Sequence, residues 1–137
     1  MNSILEQAYR QTDYRIPELG ITLRVDEPAP ILERWLHSEG WFSWAFISAA
    51  NPQSEPTDDD TNRRQHRRLQ QSVDTLGLPH YEAIGEGRDG RWPPERSLFI
   101  PGLTREQASQ LCQQYQQNAI LYGEAGSAPR LLWCRNP

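Results

Sequence analysis

The sequence predicts an α+β fold: a ferredoxin-like βαββαβ sandwich on a mostly antiparallel sheet, with an extra N-terminal helix, strand and helix. Three observations carry this reading. A chain of 137 residues fits a single domain, 1–137, able to bury roughly two-thirds of its unfolded surface. Five Trp, five Tyr and three Phe supply large packing groups to a composition that is only 36% hydrophobic. From Phe42 onward the apolar pattern runs strand, helix, strand, strand, helix, strand, strand, and its first six elements follow the split βαβ order.

The elements are justified in chain order. Ser3 and Glu6 have capping-box spacing, so a short helix follows to about Gln11. Ile21, Leu23 and Val25 alternate with Thr22 and Arg24, the pattern of a half-buried strand. Pro28 and Pro30 permit a helix start, Ile31, Leu32, Trp35 and Leu36 form its apolar face, and Gly40 stops it. Trp41 to Ala49 is apolar on both faces, which predicts a central strand. A polar loop follows to Thr61, ending in Asp58, Asp59 and Asp60, whose charge complements the start of a helix.

That helix, Asn62 to Leu76, is apolar at Leu69, Val73 and Leu76. Extended backwards, the same stripe reaches Gln65 or His66 and then Asn62, so its inner face begins polar and ends apolar. Strands are predicted at His80 to Glu86 and Arg96 to Ile100, joined by a glycine-rich turn. Thr104 and Gln107 form a second capping box, opening a helix with Ala108, Leu111, Cys112 and Tyr115 on one stripe. Strands at Asn118 to Tyr122 and Arg130 to Cys134 complete the chain. The two helices after Phe42 are expected to cover one face of the sheet.

Composition excludes several function classes. A net charge of −4 gives no drive toward nonspecific nucleic-acid or membrane association. No apolar run approaches the ~20 residues of a membrane span, and the charged N-terminus is not a signal peptide. Cys112 and Cys134 lack metal-ligand spacing and do not form a disulfide framework; Cys112 reads as a small buried hydrophobe. His37, His66 and His80 have no ligand spacing either, so no metal and no cofactor is expected. A reduced, cytoplasmic protein is the default expectation.

All 14 basic residues are Arg, a bias that GC-rich coding produces. Arg63, Arg64, Arg67 and Arg68 fall on the outer side of their helix, where they make either a solvated, salt-paired face or a set of phosphate contacts. Three preceding Asp and the lack of interleaved aromatics favour the first, so nucleic acid is not the expected partner.

The candidate site lies in three polar segments that touch predicted strands: Ile47 to Ser54, Trp92 to Ser97, and Gln116 to Ile120. Asn51 before Pro52 is either a turn former or an amide donor at a strand's carboxyl end. Asn62 either satisfies neighbouring backbone or joins a helix N-terminus in an anion or carbonyl pocket. Glu95 is either a surface carboxylate paired with Arg91 or Arg96, or a general base once desolvated. Ser97 lies with it, and Trp92 is an edge packer or a stacking platform. Gln117 and Asn118 either close a helix, with Asn118 as its left-handed cap, or reach across to Asn51.

Tyr9, Thr12, Tyr14, the run Phe46 to Ser54, Asn62, Leu69, Trp92, Glu95, Ser97 and the run Gln117 to Ile120 together resemble the bacterial family called domain of unknown function 3293. The resemblance covers nearly the whole chain. It implies a small soluble bacterial protein and lends no reaction. Amides recognise ligands well and are poor acids and bases. The residues therefore point first to a non-catalytic binding or interaction domain for a small polar ligand or a protein partner. The alternative is an enzyme with Glu95 as base and the amides holding an oxyanion or phosphate.

Overall fold

The computed structural model describes residues 3–90 and 92–135, apart from the side chain of Ser3. The capping role expected of Ser3 and the pairing of Arg91 lie outside the described residues. Helix α1 spans Ser3–Arg10 and leads into strand β1, Thr12–Ile16, and strand β2, Ile21–Leu23. Helix α2, Pro30–Glu39, precedes strand β3, Ser43–Ser48; helix α3, Asp59–Thr75, precedes strands β4, Tyr81–Gly87, and β5, Glu95–Pro101. Helix α4, Arg105–Gln114, and strands β6, Ala119–Glu124, and β7, Arg130–Trp133, follow.

Local chemistry accounts for these boundaries. Asp58 caps α3 by accepting a hydrogen bond from the Thr61 N–H. The Thr104–Gln107 capping box opens α4 in full. Gly40 ends α2 in the left-handed conformation at φ 79°.

The strands form one sheet in the order β2-β1-β4-β5-β3-β6-β7, with every neighbouring pair antiparallel. The α+β class and antiparallel sheet match the expectation, but the sheet is larger and curls into a half-barrel. The Asp26 N–H donates to the Pro129 carbonyl at 2.7 Å, so the chain beyond β2 meets the β6–β7 turn although β2 and β7 are opposite edges. Strand β1 is an addition to the expected elements. It pairs Tyr14 with Leu23 on one side and with Gly85 on the other.

The two helices after Phe42, α3 and α4, cover one face as expected, and α2 packs on the other. Because strand side chains alternate, Ala45, Ile47, Leu98, Ile100, Ile120 and Tyr122 turn to one face and pack with Leu69 and Val73 of α3 and Ala108, Leu111 and Cys112 of α4. The concave face carries Tyr14, Trp44, Phe46, Ala83, Phe99 and Leu121, and at one end packs against Leu32 and Leu36 of α2. The inner face of α3 does begin polar: buried His66 meets the Glu82 carboxylate at 3.0 Å, and buried Leu69 and Val73 follow. Burial pulls the His66 pKa below its ordinary value, outweighing the pull of Glu82 in the other direction.

Cys112 and Cys134 are joined in a disulfide, which corrects the expectation of two independent thiols. Their Cα atoms are 6.1 Å apart across a separation of 22 residues. Helical periodicity puts Cys112 on the buried stripe of α4, but only the tertiary path of β7 brings Cys134 against it.

Candidate functional site

The concave face divides along the strands into rows set by register. One row is large and apolar: Tyr81 opposite Phe99, Phe99 opposite Phe46, Phe46 opposite Leu121. The next is small: Ala83 opposite Ser97, and Ser97 opposite Ser48. In the third, Gly85 lies between Tyr14 and Glu95. A Cβ built at Gly85 meets nothing closer than the Thr12 methyl at 3.8 Å, so the missing side chain leaves open room. Small residues over an aromatic floor create a cavity of about 280 Å³, walled by α1, β1 and the segment after β3.

The loop after β3 is built around Asn51. Its backbone is left-handed at φ 47°, a conformation Asn tolerates better than most residues. The Asn51 Nδ2 donates to Glu95 Oε2 at 3.1 Å, and its Oδ1 accepts from the Thr57 N–H at 3.0 Å and from Asn62 Nδ2 at 3.1 Å. The Asn62 Oδ1 in return accepts from the Asn51 N–H at 3.0 Å. Gln53, Ser54 and Gln116 are also left-handed, and the Gln53 N–H donates to the Gln116 carbonyl at 2.7 Å. Of these left-handed residues Asn51 and Ser54 line the cavity, and such backbone strain concentrates at functional sites.

Glu95 opens β5 and faces inward because Arg96 alternates outward, where its Nε donates to Glu82 at 2.8 Å. Neither surface pairing expected for Glu95 with Arg96 nor open solvation applies. Burial pushes its carboxyl pKa above the usual range, opposed by hydrogen bonds from Asn51 and from the Ser48 hydroxyl.

Gln117 also lines the cavity, but its Nε2 is committed to the Ala50 and Tyr115 carbonyls, at 3.1 and 3.2 Å. Asn118 lies behind it and donates to the Ser54 Oγ at 2.9 Å. Neither amide reaches Asn51. The left-handed cap expected at Asn118 belongs to Gln116 instead, since the Gln117 N–H bonds back to the Cys112 carbonyl in a Schellman closure. Asn62 holds the loop from outside the cavity, and the anion pocket expected at the start of α3 is taken by the Asp58 cap. Ser97 is buried in the floor, and Trp92 stands at the mouth, 55% exposed.

Sequence reasoning did not single out Tyr9, Tyr14 or Gly85 as site residues. The Tyr9 hydroxyl bonds to Ser54 and the Ala119 backbone, and burial pushes its pKa up. Burial also raises Tyr14, whose hydroxyl donates to the Tyr9 carbonyl at 3.0 Å and so fixes the last turn of α1 against the sheet. A signal was present: Thr12, Tyr14 and Ile16 alternate with Asp13 and Arg15, the period-two pattern of a strand with an aromatic inner face.

The family model described as protein of unknown function (DUF3293) matches residues 47–120, the stretch that holds Asn51, Asn62, Glu95, Ser97 and Gln117. The chain belongs to this family. No curated protein and no solved structure matches it. Among the described residues of this DUF3293 member, no cluster of His, Cys, Asp and Glu is arranged to hold a metal ion, and no helix is long and apolar enough to cross a membrane.

Proposed function

We propose that this chain is a non-catalytic binding domain that takes a small ligand into the concave cavity, with Asn51 and Glu95 as its polar contacts. The carrying observation is the Glu95 carboxylate, drawn into the cavity wall and met there by neutral donors, Asn51 and Ser48. A carboxylate held away from water without a cation is costly as pure architecture. Trp92 and Ile4, exposed at the mouth, add apolar surface for the ligand body. The strand order β4-β5-β3-β6 supports reading β3 to β6 as a ferredoxin-like unit that presents this face.

The raised pKa of Glu95 favours one second reading, an enzyme with Glu95 as proton carrier. Against it, the titratable neighbours Tyr9 and Tyr14 are themselves pushed upward and supply neither a nucleophile nor a base. Amide NMR against a panel of neutral, anionic and cationic fragments tests the proposal. Shifts concentrated at the amides of Asn51, Gly85, Glu95 and Ser97 support it. A panel whose members leave those amides unmoved overturns it.

A further inference from the structure

The Glu95 carboxylate is drawn into the cavity wall, and among the described lining residues there is no Arg or His. Strand alternation explains part of this, since Arg15 and Arg96 turn to the outer face toward Glu86 and Glu82. The described uncharged donors to Glu95 come from Asn51 and Ser48. The same cavity is lined by aromatic residues: Tyr9, Tyr14, Phe46 and, at the mouth, Trp92. Tyr14 and Phe46 meet edge to face, their centroids 5.1 Å apart.

We propose, resting on the binding reading above, that the ligand is an organic cation: an ammonium, amidinium or guanidinium head on a short apolar or aromatic body. Three physical arguments converge. A cation supplies the charge that Glu95 lacks and restores the energy lost in removing the carboxylate from water. Ring faces attract the same charge, and do so more strongly away from solvent. An anion is rejected, because it would face the Glu95 carboxylate, whose described donors, Asn51 and Ser48, are uncharged.

Size restricts the body. A cavity of about 280 Å³ lies at the small end of the usual range for ligand pockets. A single six-membered ring with a planar head fits. The head lies at Glu95 beside Asn51. The body lies over the Ser48–Ser97 row against Phe46, with Trp92 and Ile4 covering its outer end.

Three isosteric probes separate charge from shape: benzamidine, benzamide and benzoate, titrated by amide NMR into the wild-type chain and into Glu95→Gln. Glu95→Gln keeps an acceptor for the Asn51 amide, and its spectrum reports directly on folding. The expected result is shifts at Asn51, Gly85 and Ser97, with benzamidine at least tenfold tighter than benzamide and benzoate inert. In Glu95→Gln the preference for benzamidine should fall to about twofold or less while benzamide binding is kept. If benzamide binds the cavity as tightly as benzamidine, or benzoate binds better than either, the cation assignment is overturned and the binding reading survives. If none of the three moves the cavity amides but other neutral or anionic fragments do, the cation assignment falls alone. If no fragment of any charge moves them, both fall. The wild-type comparison is decisive by itself should Glu95→Gln fail to fold.

Discussion

Replacing Asn51 with Ala removes the joint on which the site turns, and its cost follows from the geometry. The side chain makes three hydrogen bonds, to Glu95, Thr57 and Asn62. At about 1 kcal/mol net for each, their loss costs about 3 kcal/mol. The backbone at φ 47° adds about 1 kcal/mol, because Ala enters the left-handed region less readily than Asn. The total is about 4 kcal/mol, a large share of the 5–15 kcal/mol typical of a domain. Asn51→Gly loses the same hydrogen bonds and relieves the backbone, so it should cost about 3 kcal/mol. Urea unfolding followed by tryptophan fluorescence reads both values, provided the slope with denaturant stays constant. A loss below about 1 kcal/mol for Asn51→Ala would refute the hydrogen-bond reasoning. Equal losses for Ala and Gly would refute the backbone part. A cycle with Asn62→Ala should show coupling of about 1 kcal/mol, since each amide serves the other.

Glu95→Gln should stabilise the fold at neutral pH. The folded pKa of Glu95 lies above its unfolded value, so wild type loses stability as pH rises from the unfolded pKa, about 4.3, through the folded one. The gap between variant and wild type should therefore open with rising pH and then level off; unfolding curves at pH 4, 5.5 and 7.5 that run parallel would contradict this. Gly123→Ala places a Cβ 2.5 Å from the buried Trp44 indole, and overpacking of that kind should cost about 2 kcal/mol, seen as a Tm lowered by several degrees. An unchanged Tm would mean that the indole is not seated on Gly123. Replacing Cys112 and Cys134 together by Ala releases a loop closed across 22 residues, an expected loss of about 3 kcal/mol relative to the oxidised wild type. A double variant as stable as wild type in the absence of reductant argues against the bridge.

Much of the fold is legible in the sequence because it is written locally. The Thr104 and Gln107 pair announces α4, and the helical spacing of Asn62, His66, Leu69 and Val73 traces the inner face of α3. The site is legible in part for the same reason: polar residues at strand ends stand out, and Asn51, Glu95, Ser97 and Gln117 do line one cavity. What stays hidden depends on contacts between distant segments. The curl of the sheet brings Asp26 to Pro129, the path of β7 brings Cys134 to Cys112, and Tyr14 fastens α1 as a wall of the cavity. The left-handed cap falls two residues earlier than expected because the Gln117 N–H returns to Cys112, a choice of closure that residue preference alone does not decide.

The cavity draws its two sides from separate stretches of chain. Asn51, Glu95, Ser97 and Gln117 lie within residues 47–120, whereas Tyr9, Thr12 and Tyr14 come from the segment ahead of it. The polar side is welded into the middle of the sheet by strand pairing, while the facing helix is held by a few side-chain bonds such as that of Tyr14. The two sides therefore answer to different perturbations: loosening α1 opens one wall of the cavity, while Glu95 stays fixed by the pairing of β5 with its neighbours.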